Sequence, residues 1–239
     1  MRTAALVKLT LATLVGLALL IGLGVWQLQR LQWKEGLIAR VEARTKSEPI
    51  TLDQAIALAR EGRDLSYTPV TAEGRYHHSL ERYLYALSPE GEPGWHVITP
   101  LETVKGTMVL VDRGFVPEAL RDPATRKQGE VPEVVTVTGL VRDSEAPSLF
   151  VPDNEPDKNQ WFSRDLPAMV QSMFPGGTVQ VAPFFLEAKA GEVPGGWPQG
   201  GQTRVNFPNN HLQYAITWFL LAGALATIYV IWMRRRPRN

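Results

Sequence analysis

Two stretches of this chain run uncharged for longer than a bilayer is thick. Residues 9–29, closed by Lys8 and Arg30, are dominated by Leu, Val, Ala, Gly and Ile. The second run lies between Arg204 and Arg234, with its apolar part at residues 212–233. About 20 mostly apolar residues span the hydrocarbon core as a helix, which satisfies its own backbone hydrogen bonds. The pattern therefore predicts two transmembrane helices, residues 9–29 and 211–233. The apolar part of a cleaved secretory signal is ~7–15 residues long and ends at a small-residue site. The first run is longer and continues into Trp26, Gln27 and Arg30, so it reads as an uncleaved anchor. Beyond Arg30, Leu31, Lys34, Leu37, Ile38 and Val41 keep helical spacing, and the helix is expected to run past the membrane until Pro49 stops it.

Between the spans the texture changes. Thr51-Leu52-Asp53-Gln54 reads as a capping box opening a short helix that Gly62 closes. Short runs rich in Val, Thr, Tyr and Phe follow at residues 70–76, 82–87, 96–101, 108–116, 134–141 and 184–187, with Gly and Pro between them. This predicts antiparallel strands in a barrel or sandwich. A further helix is expected at residues 166–174, capped by Asp165, with Pro167 in its first turn and Gly176 after it. Residues 147–159 and 191–201 read as irregular loops. The fold class is a membrane α+β protein, two transmembrane helices flanking an extramembrane β-rich domain with a few short helices.

Charge orients the arrangement. Arg2 and Lys8 precede the first span, and Arg234, Arg235, Arg236 and Arg238 follow the second. Short positive segments stay cytoplasmic. Residues 1–8 and 234–239 are therefore expected as cytoplasmic tails, and residues 30–210 as an outer, periplasmic domain. All 24 acidic residues lie between Glu35 and Glu192, against 18 basic residues from Leu31 to Asn210, a formal charge of −6 that the whole-chain value of +1 conceals. A basic nucleic-acid surface is not indicated, so no nucleic-acid partner is expected. No cysteine is present, which excludes disulfides and thiol ligation of copper, clusters or covalent haem.

Candidate chemistry is sparse. The sequence holds no G-x-S-x-G, H-E-x-x-H or P-loop pattern, and a non-catalytic role is expected. Most carboxylates, Asp112 among them, read as solvated loop charges. His77 and His78 are adjacent, so a strand would point them to opposite faces, and they read as a solvated turn pair. His96 reads as a buried, hydrogen-bonded residue. His211 stands apart, at the outer end of the second span. Tyr214 or Ala215 and then Trp218 share its helical face, and neutral imidazole is a standard axial ligand of haem iron. Opposite it, Trp26, Arg30 and Trp33 end the first span, and Arg30 or Lys34 would suit a haem propionate. Two readings stand on these residues alone. One is a haem site; the other is an interfacial polar cap with an aromatic belt and basic side chains reaching lipid phosphate.

Five segments together resemble the surfeit-locus-1 family. They are LGVWQLQRLQWKEGLI at residues 23–38, GWHVITPL at 94–101, LVDRGFVP at 110–117, VTGLVRDSEAPSLFVPDNEPDKNQWFSRD at 137–165 and NNHLQYAITWFLLA at 209–222. The last is the most specific. The family more often has Asn and Trp where Asp112 and Phe115 stand here, a mild departure. The resemblance covers almost the whole chain and implies an assembly factor for haem–copper cytochrome c oxidase in the plasma (inner) membrane. It implies haem a as cofactor, and as partners the oxidase catalytic subunit, haem a synthase and the lipid bilayer. The implied site has His211 as iron ligand, Trp218, Tyr214 and Trp26 around the ring, and Arg30 on a propionate. The alternative it leaves open is a scaffold that binds no haem and stabilises an early assembly intermediate.

Overall fold

The computed structural model describes residues 2–145, 148–202 and 209–235. The chain divides into two compact units, Met1–Glu42 with Val205–Asn239, and Ala43–Arg204. The basic tail residues Arg236 and Arg238, and Phe207 and Pro208 ahead of the second span, lie outside the described residues.

The first unit is a pair of long helices. Helix α1 spans Arg2–Thr45, ~66 Å at 1.5 Å per residue, so it runs past a bilayer as its periodicity predicts. Its partner, designated α4 after the domain elements below, spans His211–Arg234. Both are long and apolar enough to cross a membrane. Large apolar side chains stand exposed around both helices, Leu11, Leu19, Leu220 and Ile228 among them, each above 60%. Such exposure costs too much in water, and lipid accounts for it.

The second unit begins with β1 (Ile50–Thr51) and α2 (Leu52–Arg60), whose N-cap Thr51 and Gln54 form the expected capping box. Then come β2 (Pro69–Tyr76), β3 (Arg82–Leu87), β4 (Pro93–Thr103), β5 (Met108–Pro117), β6 (Val135–Arg142), α3 (Leu166–Met173, capped by Asp165) and β7 (Val181–Ala188). The strands pair in the order β1-β2-β6-β7-β5-β4-β3, and β2 also pairs with β4. That last pairing closes a five-stranded barrel. Strand β2 pairs with β6 from Pro69 to Gly74 and with β4 from Gly74 to Tyr76. The pivot requires glycine, because a Cβ at Gly74 would stand 2.3 Å from the carbonyl oxygen of Glu102. Most pairings are antiparallel, as the short alternating strands predict. Strands β5 and β7 run parallel, and so do β1 and β2. A parallel pair needs a crossover, and the long connection through β6 and α3 supplies it.

Alternation sorts two cores. Val70, Ala72, Leu101, Val109, Val111, Phe184 and Leu186 fill the barrel interior, and α2 lays Leu52, Ala55 and Ile56 against them. The neighbouring positions Ile98, Leu110 and Phe185 point outward and are covered by Trp161 and by Leu166, Met169 and Met173 of α3. Every residue of β5 except Pro117 is therefore buried.

A buried ionic knot holds the chain between β2 and β3 against the connection that follows β5. The carboxylate of Glu81 accepts from Arg126 at 2.6 Å and from Arg113 at 3.2 Å, and all three side chains are more than 90% buried. Burial alone would raise the pKa of Glu81; His78 and the two guanidiniums outweigh it and hold the carboxyl at about 2. Replacing Glu81 by Gln leaves two buried cations without their counter-charge, which costs about 3–5 kcal/mol. The expected readout is a lower denaturant midpoint of the near-ultraviolet circular dichroism that reports buried Trp161.

Candidate functional site

The helix pair sets the geometry of the predicted site. Along α1 the buried or half-buried positions recur at Thr10, Thr13, Leu17, Leu20, Gly24 and Gln27, and along α4 at His211, Ala215, Trp218, Ala222 and Tyr229. Alternate steps of three and four make this a heptad seam between two antiparallel helices. Small residues bring the backbones together. A Cβ on Gly24 would stand 2.7 Å from the Phe219 ring, and one on Gly16 would stand 3.2 Å from Leu225. A polar tie closes each end. Thr10 Oγ1 meets the Tyr229 hydroxyl at 2.7 Å, and His211 Nδ1 meets Gln27 Oε1 at 2.7 Å. The ties are 17 residues apart on α1 and 18 on α4, so one register satisfies both. That is ~26 Å of helix, close to the thickness of the hydrocarbon core.

The tie at His211 decides its chemistry. The amide oxygen of Gln27 can only accept, so Nδ1 carries a proton, and in the neutral imidazole Nε2 is then the nitrogen with the lone pair. Nε2 has no hydrogen-bond partner among the described residues. This is how metal-binding histidines are commonly oriented, with a carbonyl on one ring nitrogen and the other left to the metal. Two positions before it, Asn209 Oδ1 is buried and has no hydrogen-bond partner among the described residues. Trp218 lies on the seam two turns along, partly buried, and Tyr214 stands on its flank, 56% exposed.

The rest of the expected constellation does not assemble. Trp26 follows the seam residue Gly24 by two positions, ~200° of rotation, and is 52% exposed on the face away from α4. Arg30 is exposed too, and its guanidinium stacks on Trp33, 4.3 Å from the ring centroid. Helix rotation thus turns Trp26 away from α4, while Arg30, one turn past Gln27, is engaged by Trp33. A macrocycle between the spans also has no gap to enter, since the contacts at Gly24, Ala215 and Gln27 close the seam. Gln27 is the residue that composition obscured. Its signal was a polar side chain inside an uncharged run, three positions after Gly24.

The extramembrane unit holds a second set of polar residues on the outer face of the barrel. His96 Nδ1 lies 2.8 Å from both carboxylate oxygens of Asp112, and Arg164 Nη2 is 3.1 Å from Asp112 Oδ2. Asp112 is wholly buried, not the solvated loop charge its sequence context predicts, because it points outward from β5 and Arg164 of the loop before α3 lies against it. Burial pushes its pKa up; His96 and Arg164 outweigh that and hold the carboxyl at about 2. Burial in turn disfavours the His96 imidazolium, and Asp112 reverses the balance and raises the His96 pKa. Arg164 also reaches Glu145 at 3.2 Å, and Glu187 of β7 pairs with Arg142 at 3.3 Å. This network clasps the loop to the barrel. His96 is thus buried and hydrogen-bonded, as expected. His77 pairs with Glu102 at 2.7 Å, while His78 is turned inward, 14% exposed, and bonded to the Val131 carbonyl. His78 therefore departs from the expected solvated turn pair. Among the described residues no group of three or more His, Asp or Glu is placed to hold a metal ion.

Two measurements follow. In Gln27→Leu the imidazole loses its acceptor, and nitrogen-15 magnetic resonance of labelled His211 should change from one tautomer to a mixture. In the extramembrane unit, the Asp112 contribution is present above the ordinary carboxylate pKa of ~4 and is lost as pH falls toward 2. The His96 contribution is present below ~6.5 and is lost as pH rises through its raised value. The thermal midpoint should be highest between those limits, and Asp112→Asn should flatten both arms.

Comparison with known proteins places these features in a family context. A model of the SURF1 family matches residues 14–223. The chain is 40% identical over 232 residues to surfeit locus protein 1 of Gallus gallus, covering 89% of this chain and 70% of that one. It is 38% identical over 225 residues to the Homo sapiens protein of the same name, covering 87% and 72%. A SURF1-like protein of Monosiga brevicollis is 35% identical over 230 residues, covering 91% and 84%.

Proposed function

The chain belongs to the SURF1 family, and we propose from this that it is a membrane-bound assembly factor, not an enzyme, for haem–copper cytochrome c oxidase. Its finer role is to hold haem a in transit to the oxidase catalytic subunit, with haem a synthase as the source. The observation that carries the haem reading is the tie between His211 and Gln27, which leaves Nε2 as a ready iron ligand at the outer end of α4. Haem is cargo here, and the iron supplies the Lewis acidity that the imidazole lone pair satisfies.

His211 would ligate, and Gln27 would hold the ring tautomer. Tyr214 on the open flank and Trp218 on the seam would offer aromatic surface to the macrocycle. The flank takes the place of the slot between the spans, because the seam is closed. Arg30 and Trp26 fall outside this arrangement and suit the membrane interface instead, where a guanidinium over an indole meets headgroups. The membrane would be the plasma membrane, with both termini cytoplasmic and the barrel on the outer side, as the positive tails direct.

One observation favours a second reading. The Gln27–His211 bond also completes a helix seam that needs no ligand, which suits a scaffold that only stabilises an assembly intermediate.

The absorbance spectrum of the protein purified from cells that make haem a separates the two. A Soret band that shifts or disappears in His211→Ala supports delivery; haem bound equally by wild type and His211→Ala overturns the ligand assignment, and haem bound by neither leaves the scaffold. Gln27→Leu should retain the ligand but weaken binding about 10–100-fold, as for other residues that orient a metal ligand.

A further inference from the structure

The most anomalous surface on the extramembrane unit is a loop tip. Leu149 is 100% exposed and Phe150 is 96% exposed. Single exposed apolar residues are ordinary, but two adjacent large ones at full exposure mark a contact site. The frame beneath them is firmly built. Asn154 Oδ1 accepts from the backbone N–H groups of Phe162 and Ser163, at 2.8 and 3.0 Å. Ser144 Oγ donates to the Arg164 carbonyl, and Arg164 is anchored on buried Asp112. A turn from Ser148 to Val151, closed by a 3.0 Å backbone bond, lifts the two side chains clear of this frame. A tip held this way loses little conformational freedom on docking, which favours affinity.

Charge tells what covers it. Residues 143–165 carry six carboxylates against two cations. Both cations are engaged within the unit, Lys158 by Glu155 and Arg164 by Asp112 and Glu145. Glu145 lies four residues before Leu149 and Asp153 three after Phe150, and both are exposed. Insertion of the tip into a membrane would carry these carboxylates toward the bilayer, where a charge loses hydration without gaining a counter-charge. A protein pocket with a basic rim would attract them.

We propose that Leu149 and Phe150 form a docking tip that inserts into an apolar pocket of a partner protein, one whose rim carries Lys or Arg. The tip and His211 belong to different units of the chain, and the proposal draws on the assembly role only for the existence of protein partners.

The test uses the full chain in its native membrane, with photoreactive benzoylphenylalanine at position 150. Irradiation should join it to one protein, at a peptide where apolar residues are flanked by Lys or Arg. Adding Asp153→Lys and Asp157→Lys should cut the yield about fivefold or more. Leu149→Ser with Phe150→Ser should lower assembled oxidase while leaving the thermal midpoint and the haem spectrum of the purified protein unchanged. Crosslinks to lipid or to a second copy of the chain, or no crosslink, would overturn the proposal. So would a yield indifferent to charge reversal. Loss of haem binding in His211→Ala, or its absence throughout, leaves these outcomes unaffected, so failure of the haem reading is told apart from failure of this one.

Discussion

A polar group withdrawn from water must find its partner inside the fold. Both units of this protein are organised by that constraint. In the helix pair, a hydroxyl and an amide of α1 have no water to bind at membrane depth, and Tyr229 and His211 of α4 answer them. In the barrel, Glu81, Asp112 and Glu187 are each almost wholly removed from solvent, and each is met by arginine. Such pairs add little net stability over an apolar core of the same shape. What they fix is arrangement, because a slipped register or a displaced loop would strand a buried charge.

In the extramembrane unit this arrangement joins distant segments. Asp112 on β5 and His96 on β4 meet because those two strands pair antiparallel, and Arg164 reaches the same carboxylate from the end of a long loop. The loop that Arg164 secures is the one that presents Leu149 and Phe150. Tight burial at its base and full exposure at its tip thus belong to one device. The other knot, around Glu81, secures the opposite connection by similar means, with Arg126 brought in from a run of short turns after β5.

In the helix pair the same constraint has a chemical consequence. Small residues at Gly16, Gly24, Ala215 and Ala222 allow close approach, and close approach brings Gln27 within bonding distance of His211. The amide then selects one tautomer of the imidazole. The packing that closes the space between the spans also leaves a single ring nitrogen as an available ligand. Function at this site, as proposed, therefore belongs to the open flank of α4 and depends on the seam behind it.

Much of this was legible from the chain alone. Uncharged length specified both spans, because lipid tolerates little else. Alternation and turn residues located six of the seven described strands, and the capping box of α2 and the Asp165 cap of α3 marked those helices, because these signals depend on near neighbours. The tips of the spans, where His211 sits, were legible for the same reason. Tertiary structure alone decided the rest. Helix rotation turned Trp26 away from α4, Trp33 engaged Arg30, and packing brought in Gln27, a residue that composition ranks as unremarkable. His96 on the paired strand and Arg164 from a distant loop turned Asp112 from an apparent surface charge into a buried anchor. Local sequence determines which way a segment folds, but the partner of a polar side chain is set by segments far off in the chain, and only packing brings them within 3 Å.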